Sequence, residues 1–269
     1  MSKTPTQDAH QAAPSGSLRT ERHGFVQVVT IDAPDRSNAL DNGDLGDLVR
    51  LCDAIDADSG VRAVVLAATG RSFCAGYDLR ALVAGAPASL TDNPFPAAAE
   101  RLARLRSPVV AAINGPVAGA GVHMALACDV RIAVPDATMR LPAANLGIMY
   151  DPSAIFRIAR ELGLGLSRRL LLGAESLGAA DLLAAGVFAE LVAPTALLER
   201  ALERAGRMAE LAPLAVSGMK RVLDGVGGEA GPAERFRALQ LDIAASPDVR
   251  EALAAVSERR RPVFQGAQG

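Results

Sequence analysis

Residues 140–154 read RLPAANLGIMYDPSA, and past the opening arginine only Tyr150 and Asp151 can move a proton. A carboxylate in that place has two uses. Asp before Pro152 is good grammar for a helix start, with proline at the first helical position and the aspartate accepting backbone N–H bonds. Walled by Leu146, Ile148 and Met149, the same carboxylate is also equipped to act as a general base. Tyr150 either orients Asp151 or anchors its loop. A second source of chemistry is a pair of glycine-rich stretches, RSFCAGYDLR (71–80) and INGPVAGAGVHMALACD (113–129), each placed where a strand ends and a helix can begin. Glycines there serve tight turns and close packing, and unpaired backbone N–H groups at a helix start also favour negative charge. Two such loops after neighbouring strands can aim two donors at one oxygen, the arrangement of an oxyanion hole. His123, in the apolar GVHMALAC run, is either a hydrogen-bonded packing residue or an acid or substrate-orienting group. Cys74 and Cys128 read as core thiols.

Elements able to hold those loops are visible in the periodicity. FVQVVTI (25–31), VRAVVLAAT (61–69) and PVVAAING (108–115) are aliphatic runs closed by turn residues, which predicts strands. Between them, Leu45, Leu48, Val49, Cys52 and Ile55 share one helical face over 45–55, and a second helix is expected over 97–105. Strand and helix in alternation mean crossover units, hence an α/β fold. After Pro152 the pattern predicts helices over 152–162, 165–172, 179–185, 196–211, 213–223, 232–245 and 248–259, with GGEAGP (227–232) breaking two of them. AGAPASLTDNPFP (84–96) reads as a loop suited to a lid. The expected organisation is a flexible tail over 1–17, an α/β core over 18–200 and a helical C-terminal region over 201–269.

Composition narrows the partners. The chain has 269 residues, is 50% hydrophobic and carries 28 basic against 30 acidic side chains, so it can bury a large core and has no electrostatic footprint for nucleic acid. Aromatics are only 3%, too few to serve base stacking. The 3 cysteines, Cys52, Cys74 and Cys128, are odd in number and widely spaced, which fits neither a disulfide framework nor a zinc site and suits a reducing compartment. Residues 1–17 have no apolar segment behind Lys3, and no later run approaches a membrane span. A cytoplasmic protein with a small-molecule partner, no metal, no nucleic acid and no membrane is the expectation.

Taken in order, SNALD around Asn38, GRSFCAGYDL, SPVVAAINGPVAGAGVHMALACDVRIA and LPAANLGI resemble the enoyl-CoA hydratase/isomerase (crotonase) family, over nearly the whole chain from Gly24 to the C-terminal RRRPVFQG. The resemblance implies a crotonase-like spiral of strand-strand-helix repeats with a helical C-terminal trimerisation region, a homotrimer or dimer of trimers, and an acyl-CoA thioester as substrate. No cofactor is implied, because coenzyme A belongs to the substrate. It places the two backbone donors on Tyr77 and Ala120. It runs coenzyme A and substrate along Arg36, Ser37, Ala39, Ala75, Gly76, Asp78, Leu79 and Gly119, with Ala143, Leu146 and Tyr150 lining the pocket. Arg36 and the run 259–261 are either phosphate contacts or solvated surface.

The sequence also departs from the family. Hydratases of this kind carry two glutamates at the positions held here by His123 and Ala143. A methyl group neither activates water nor delivers a proton, which argues against ordinary hydration. Asp151, four residues after Gly147, matches the site of the single catalytic carboxylate in certain enoyl-CoA and dienoyl-CoA isomerases and in chlorobenzoyl-CoA dehalogenases. One acid suffices to take a proton from one carbon and return it to another. Double-bond isomerisation with Asp151 as base is therefore the expected reaction. The alternatives are atypical hydration, a dehalogenase or hydrolase reaction, and acyl-CoA binding without turnover. Nothing over 96–106 resembles the dehalogenases' helper histidine.

Overall fold

The computed structural model describes residues 16–78, 80, 93–211, 213–225, 241, 245 and 247–260. Its main sheet has six strands. β1 (Leu18–His23) turns at Gly24 into β2 (Val26–Ile31), its antiparallel neighbour. From β2 the sheet continues in parallel through β3 (Ala63–Ala68), β4 (Val109–Ile113), β6 (Val130–Ala133) and β9 (Glu190–Leu191). The central strands β3 (AVVLAA) and β4 (VVAAI) are almost wholly buried, as parallel strands covered on both faces must be. A smaller sheet joins β5 (Val117–Ala118) in parallel to β7 (Thr138–Arg140), which pairs antiparallel with β8 (Ser176–Gly178).

Helices complete the core. α1 (Asn42–Ala57) starts at a capping box between Asp41 and Asp44 and packs against α2 (Phe95–Ala103). α3 (Ala120–Leu126) lies between α2 and α4 (Pro152–Leu171). Gly163, at φ 71 and ψ 161, interrupts α4 between the two helical segments that the pattern predicts. α5 (Ala179–Ala184) follows β8, and α6 (Leu197–Ala209) lies across β3 and β4. Ala201, Ala205 and Ala209 of α6 are buried one turn apart, and their small side chains let the helix sit close on the sheet. α7 (Pro213–Gly225) is tied down by Lys220, whose Nζ donates to both oxygens of Asp129 at 2.7 and 2.6 Å. α8 (Pro247–Ser257) returns to the pocket, where Val249 packs with Tyr77 and Ile148.

Several strands escape the sequence reading. β1 is LRTERH with only Leu18 buried, a polar edge strand without the alternation expected of a half-buried one. β6, β7, β8 and β9 have two to four residues each, too short to show a period. Most of the predicted 232–245 helix, and residues 84–92 of the predicted lid loop, lie outside the described residues.

Candidate active site

The site is built where parallel strands end. Loops leaving β2, β3 and β4 run side by side, stitched by parallel bridges between Leu40 and Tyr77 and between Cys74 and Val117. Ala75 N–H donates to Ser37 O at 3.1 Å, and Ala118 N–H to Cys74 O at 2.9 Å. Asn38 fastens the first two loops: its Oδ1 accepts from Ala33 N–H at 2.8 Å, while its Nδ2 donates to Thr69 O and Ser72 O at 2.8 and 2.7 Å. It is wholly buried at φ 58, a left-handed geometry that asparagine tolerates well. The SNALD motif is thus a fastener for the loop that carries the first glycine stretch.

Those stitches orient the two expected donors. Leu40 N–H donates to Gly76 O and Asp78 N–H to Leu40 O, so in this extended segment the intervening Tyr77 N–H points the other way. Gly76, at φ 94, lies so close to the start of α3 that a β-carbon on it would stand 2.7 Å from Ala120 N. Ala120 is the first residue of α3, where intrahelical bonding leaves the N–H unmatched. The glycines at 76 and 121 are therefore steric requirements: a β-carbon on Gly121 would come within 2.3 Å of Cys74 O. The Tyr77 side chain is held separately, its hydroxyl donating to Asn42 Oδ1 at 2.7 Å.

Both donors border one apolar pocket of about 250 Å³. Its wall also contains Ala75, Gly119, His123, Arg140, Ala143, Leu146, Ile148, Met149, Tyr150 and Asp151. Asn93, Phe95 and Pro96, at the described end of the predicted lid loop, line it as well. Asp151 is the only carboxylate among the described lining residues. It is also the N-cap of α4: Oδ1 accepts from Ser153 N–H at 2.9 Å and from Ser153 Oγ at 2.5 Å. Cap and pocket residue are one and the same side chain. Burial drives the Tyr150 phenol far above its usual range, against the opposing influence of the Ala143 backbone and the Arg140 charge, and so keeps it a proton-bearing donor. Among the described residues there is no cluster of three or more His, Cys, Asp and Glu side chains fit to hold a metal ion.

His123 sits 2% exposed at the pocket wall, and burial pushes its ring below the usual range despite a nearby carboxylate. That carboxylate, Glu100 on α2, was not singled out from the sequence, nor was its partner Arg157 on α4. Arg157 donates to Glu100 Oε1 from Nη2 at 2.7 Å and from Nε at 3.2 Å. His123 Nε2 stands 3.7 Å from the same oxygen, beyond hydrogen-bond length, and has no hydrogen-bond partner among the described residues. Burial raises the Glu100 carboxyl, but its cationic neighbourhood overrides this and holds it at about 2. His123, facing the carboxylate at 3.7 Å, and the charge and hydrogen bonds of Arg157 together produce that lowering. A carboxyl lowered from 4.5 to about 2 contributes stability that is present above its unfolded value and lost as pH falls through the folded one. Glu100→Gln is accordingly expected to destabilise the protein at neutral pH, with the gap from wild type closing as pH is lowered toward 2. Urea midpoints across that range measure it, and a constant gap would mean that the pair is not ionic.

The remaining expected contacts lie apart from the pocket floor. Arg36 is engaged by the chain itself: Nη2 donates to Asp44 Oδ2 at 2.5 Å and to Ser17 Oγ at 2.7 Å, with Asp41 at 3.4 Å and Asp78 at 3.7 Å from Nη1. Ser37 and Ala39 lie in the same loop, Ala39 buried. Asp78 is buried and receives Arg80 at 2.8 Å, and the bonds from Arg80 hold its carboxyl below the usual range. Leu79 and Arg261 lie outside the described residues. Arg260 pairs with Glu251 and Glu258.

The family model for enoyl-CoA hydratase/isomerase matches residues 21–267. The chain is 32% identical over 252 residues to the 2,3-dehydroadipyl-CoA hydratase of Escherichia coli (strain K12), covering 93% of this chain and 98% of that protein. It is 37% identical over 252 residues to a probable enoyl-CoA hydratase of Mycobacterium tuberculosis (strain CDC 1551 / Oshkosh), covering 90% and 96% of the two chains. Among solved structures, an enoyl-CoA hydratase/isomerase from Pseudoalteromonas atlantica T6c superposes with a TM-score of 0.83 at 28% identity, covering 93% of this chain and 100% of that one. With its parallel-sheet core, its stitched loops and a match along nearly its full length, the chain belongs to the enoyl-CoA hydratase/isomerase family and has the crotonase fold.

Proposed function

We propose that the protein isomerises a carbon–carbon double bond in an acyl-CoA thioester. The Tyr77 and Ala120 N–H groups receive the thioester oxygen. Asp151 removes a proton from the acyl chain, the donor pair stabilises the resulting dienolate, and the protonated Asp151 returns the proton two carbons away. Coenzyme A runs along the loop that contains Arg36, Ser37 and Ala39, and no further cofactor or metal is needed. The protein works as a homotrimer or dimer of trimers in the cytoplasm, with the C-terminal helices contributing to assembly.

The single observation that carries this reading is that Asp151 is the one carboxylate among the described residues that line the pocket with the donor pair, while position 143 is alanine and burial holds the His123 ring below its usual range. One acid supports a proton shuttle, whereas addition of water needs a group to activate the water as well. Hydration is the second reading, favoured by the names of the relatives. The two are separated by incubating the protein in deuterated water with a 3-enoyl-CoA and with a 2-enoyl-CoA, and following products by mass spectrometry. The expected result is interconversion of the two enoyl isomers with little 3-hydroxyacyl-CoA formed. Rapid hydration, at about 1 s⁻¹ or faster, would overturn the isomerase reading and leave the acyl-CoA assignment standing.

A further inference from the structure

Arg140 closes β7 and lines the pocket, yet its side chain has no carboxylate partner among the described residues. The arginines nearby are matched: Arg36 with Asp44, Arg157 with Glu100, Arg131 with Glu161. Asp151, the only lining carboxylate described, is not within ion-pair distance of Arg140. The residue is also close to the chemistry. Its carbonyl accepts the Gly119 N–H at 3.0 Å, which places its backbone beside the start of α3 and hence beside Ala120. Tyr150 approaches the same point, its Oη 3.8 Å from where a β-carbon on Gly119 would sit.

Arg140 is exposed, so water solvates its guanidinium in the free protein, and its charge reaches the Tyr150 hydroxyl; a substrate that covers it must supply a partner in place of that water. Its planar fork suits a carboxylate, held in two-point fashion, better than any neutral acyl group. The methyl side chain of Ala143, in the same wall, leaves room on that side of the pocket. We infer that the acyl group of the substrate carries a carboxylate of its own, received by Arg140 with the Tyr150 hydroxyl as a second donor, so that the preferred substrates are thioesters of dicarboxylic acids. This rests on the acyl-CoA reading but not on Asp151 or on isomerisation. The other anions in such a substrate, the coenzyme A phosphates, are expected along the Arg36 loop.

Succinyl-CoA and butyryl-CoA test it, because they match in chain length, differ at the far end in carboxylate against methyl, and need not turn over. Isothermal titration of the full-length protein is expected to show succinyl-CoA binding at least about tenfold tighter. In Arg140→Gln that ratio should collapse toward one, and in Arg140→Lys it should be intermediate. Equal affinities in the wild type, or a preference that survives in Arg140→Gln, would overturn the inference. If Arg140→Gln weakens both thioesters equally, the arginine serves a phosphate and the inference is wrong. Failure of both thioesters to bind the wild type would instead remove the acyl-CoA reading and this one with it.

Discussion

Asp151→Asn is expected to lower isomerisation of a 3-enoyl-CoA by about 10² or more, with affinity for a saturated acyl-CoA nearly unchanged. The substitution separates the two uses of this side chain. Asparagine is as good an N-cap as aspartate, so the bond from Ser153 N–H to Oδ1 can persist and α4 keeps its start. What disappears is the ability to take a proton. A positioned acid or base supplies roughly 10² to 10⁴ of an enzyme's rate, so the loss should fall on kcat and leave KM largely alone. Single-turnover kinetics with a 3-enoyl-CoA gives the number, and exchange of deuterium into the acyl chain should stop in parallel. Turnover near the wild-type rate would move the shuttle elsewhere and make His123 the next group to test, although its burial already argues against a charged, proton-donating ring.

How far the sequence could be read depended on whether a signal was local. Val-rich β2, β3 and β4 announce themselves because each is a mostly aliphatic run of a few residues. Asp151 was visible for the same reason, since cap grammar and the approach of a glycine motif are both matters of a few residues. Edge strand β1 was not, because a polar strand shows no hydrophobic period and is held by pairing with β2 rather than by its own burial.

The parts of the site that depend on long-range assembly were hidden in proportion to sequence separation. Glu100 and Arg157 stand 57 residues apart on different helices, and neither has a local feature that marks the pairing. The only available hint was an isolated histidine in an apolar helix, which must have something charged or polar behind it or remain unmatched. Arg36 illustrates the opposite difficulty. Its nearness to a motif invites a phosphate, but Asp41, Asp44 and Asp78 converge on it only after α1 and the second loop fold against the first. Arg140, just before LPAANLGI, carries no local mark of a role, because its separation from every described carboxylate is a property of the folded chain alone.

Ala120→Pro is expected to lower kcat by about 10² to 10³ while the protein remains folded, because it deletes one of two oxyanion donors and nothing else that is chemical. The working atom is a backbone N–H, so no side-chain truncation reaches it. Proline fits the first turn of a helix, and Ala120 is the first residue of α3, so the hydrogen bonding of that helix is not interrupted. The difficulty is steric: Gly76 is so near that its missing β-carbon would stand 2.7 Å from Ala120 N, and the proline ring must share that space. Folding is therefore checked by circular dichroism and by the urea midpoint before rates are compared. Ala120→Gly supplies the control, since it keeps the N–H and should hold kcat within about tenfold despite a looser helix start. The reciprocal variant, Gly76→Ala, drives a methyl group between the two donors and should lower kcat with both N–H groups still present. A folded Ala120→Pro protein with wild-type kcat would show that the start of α3 does not receive the thioester oxygen. A loss in Ala120→Pro with no loss in Ala120→Gly would assign the effect to the N–H itself.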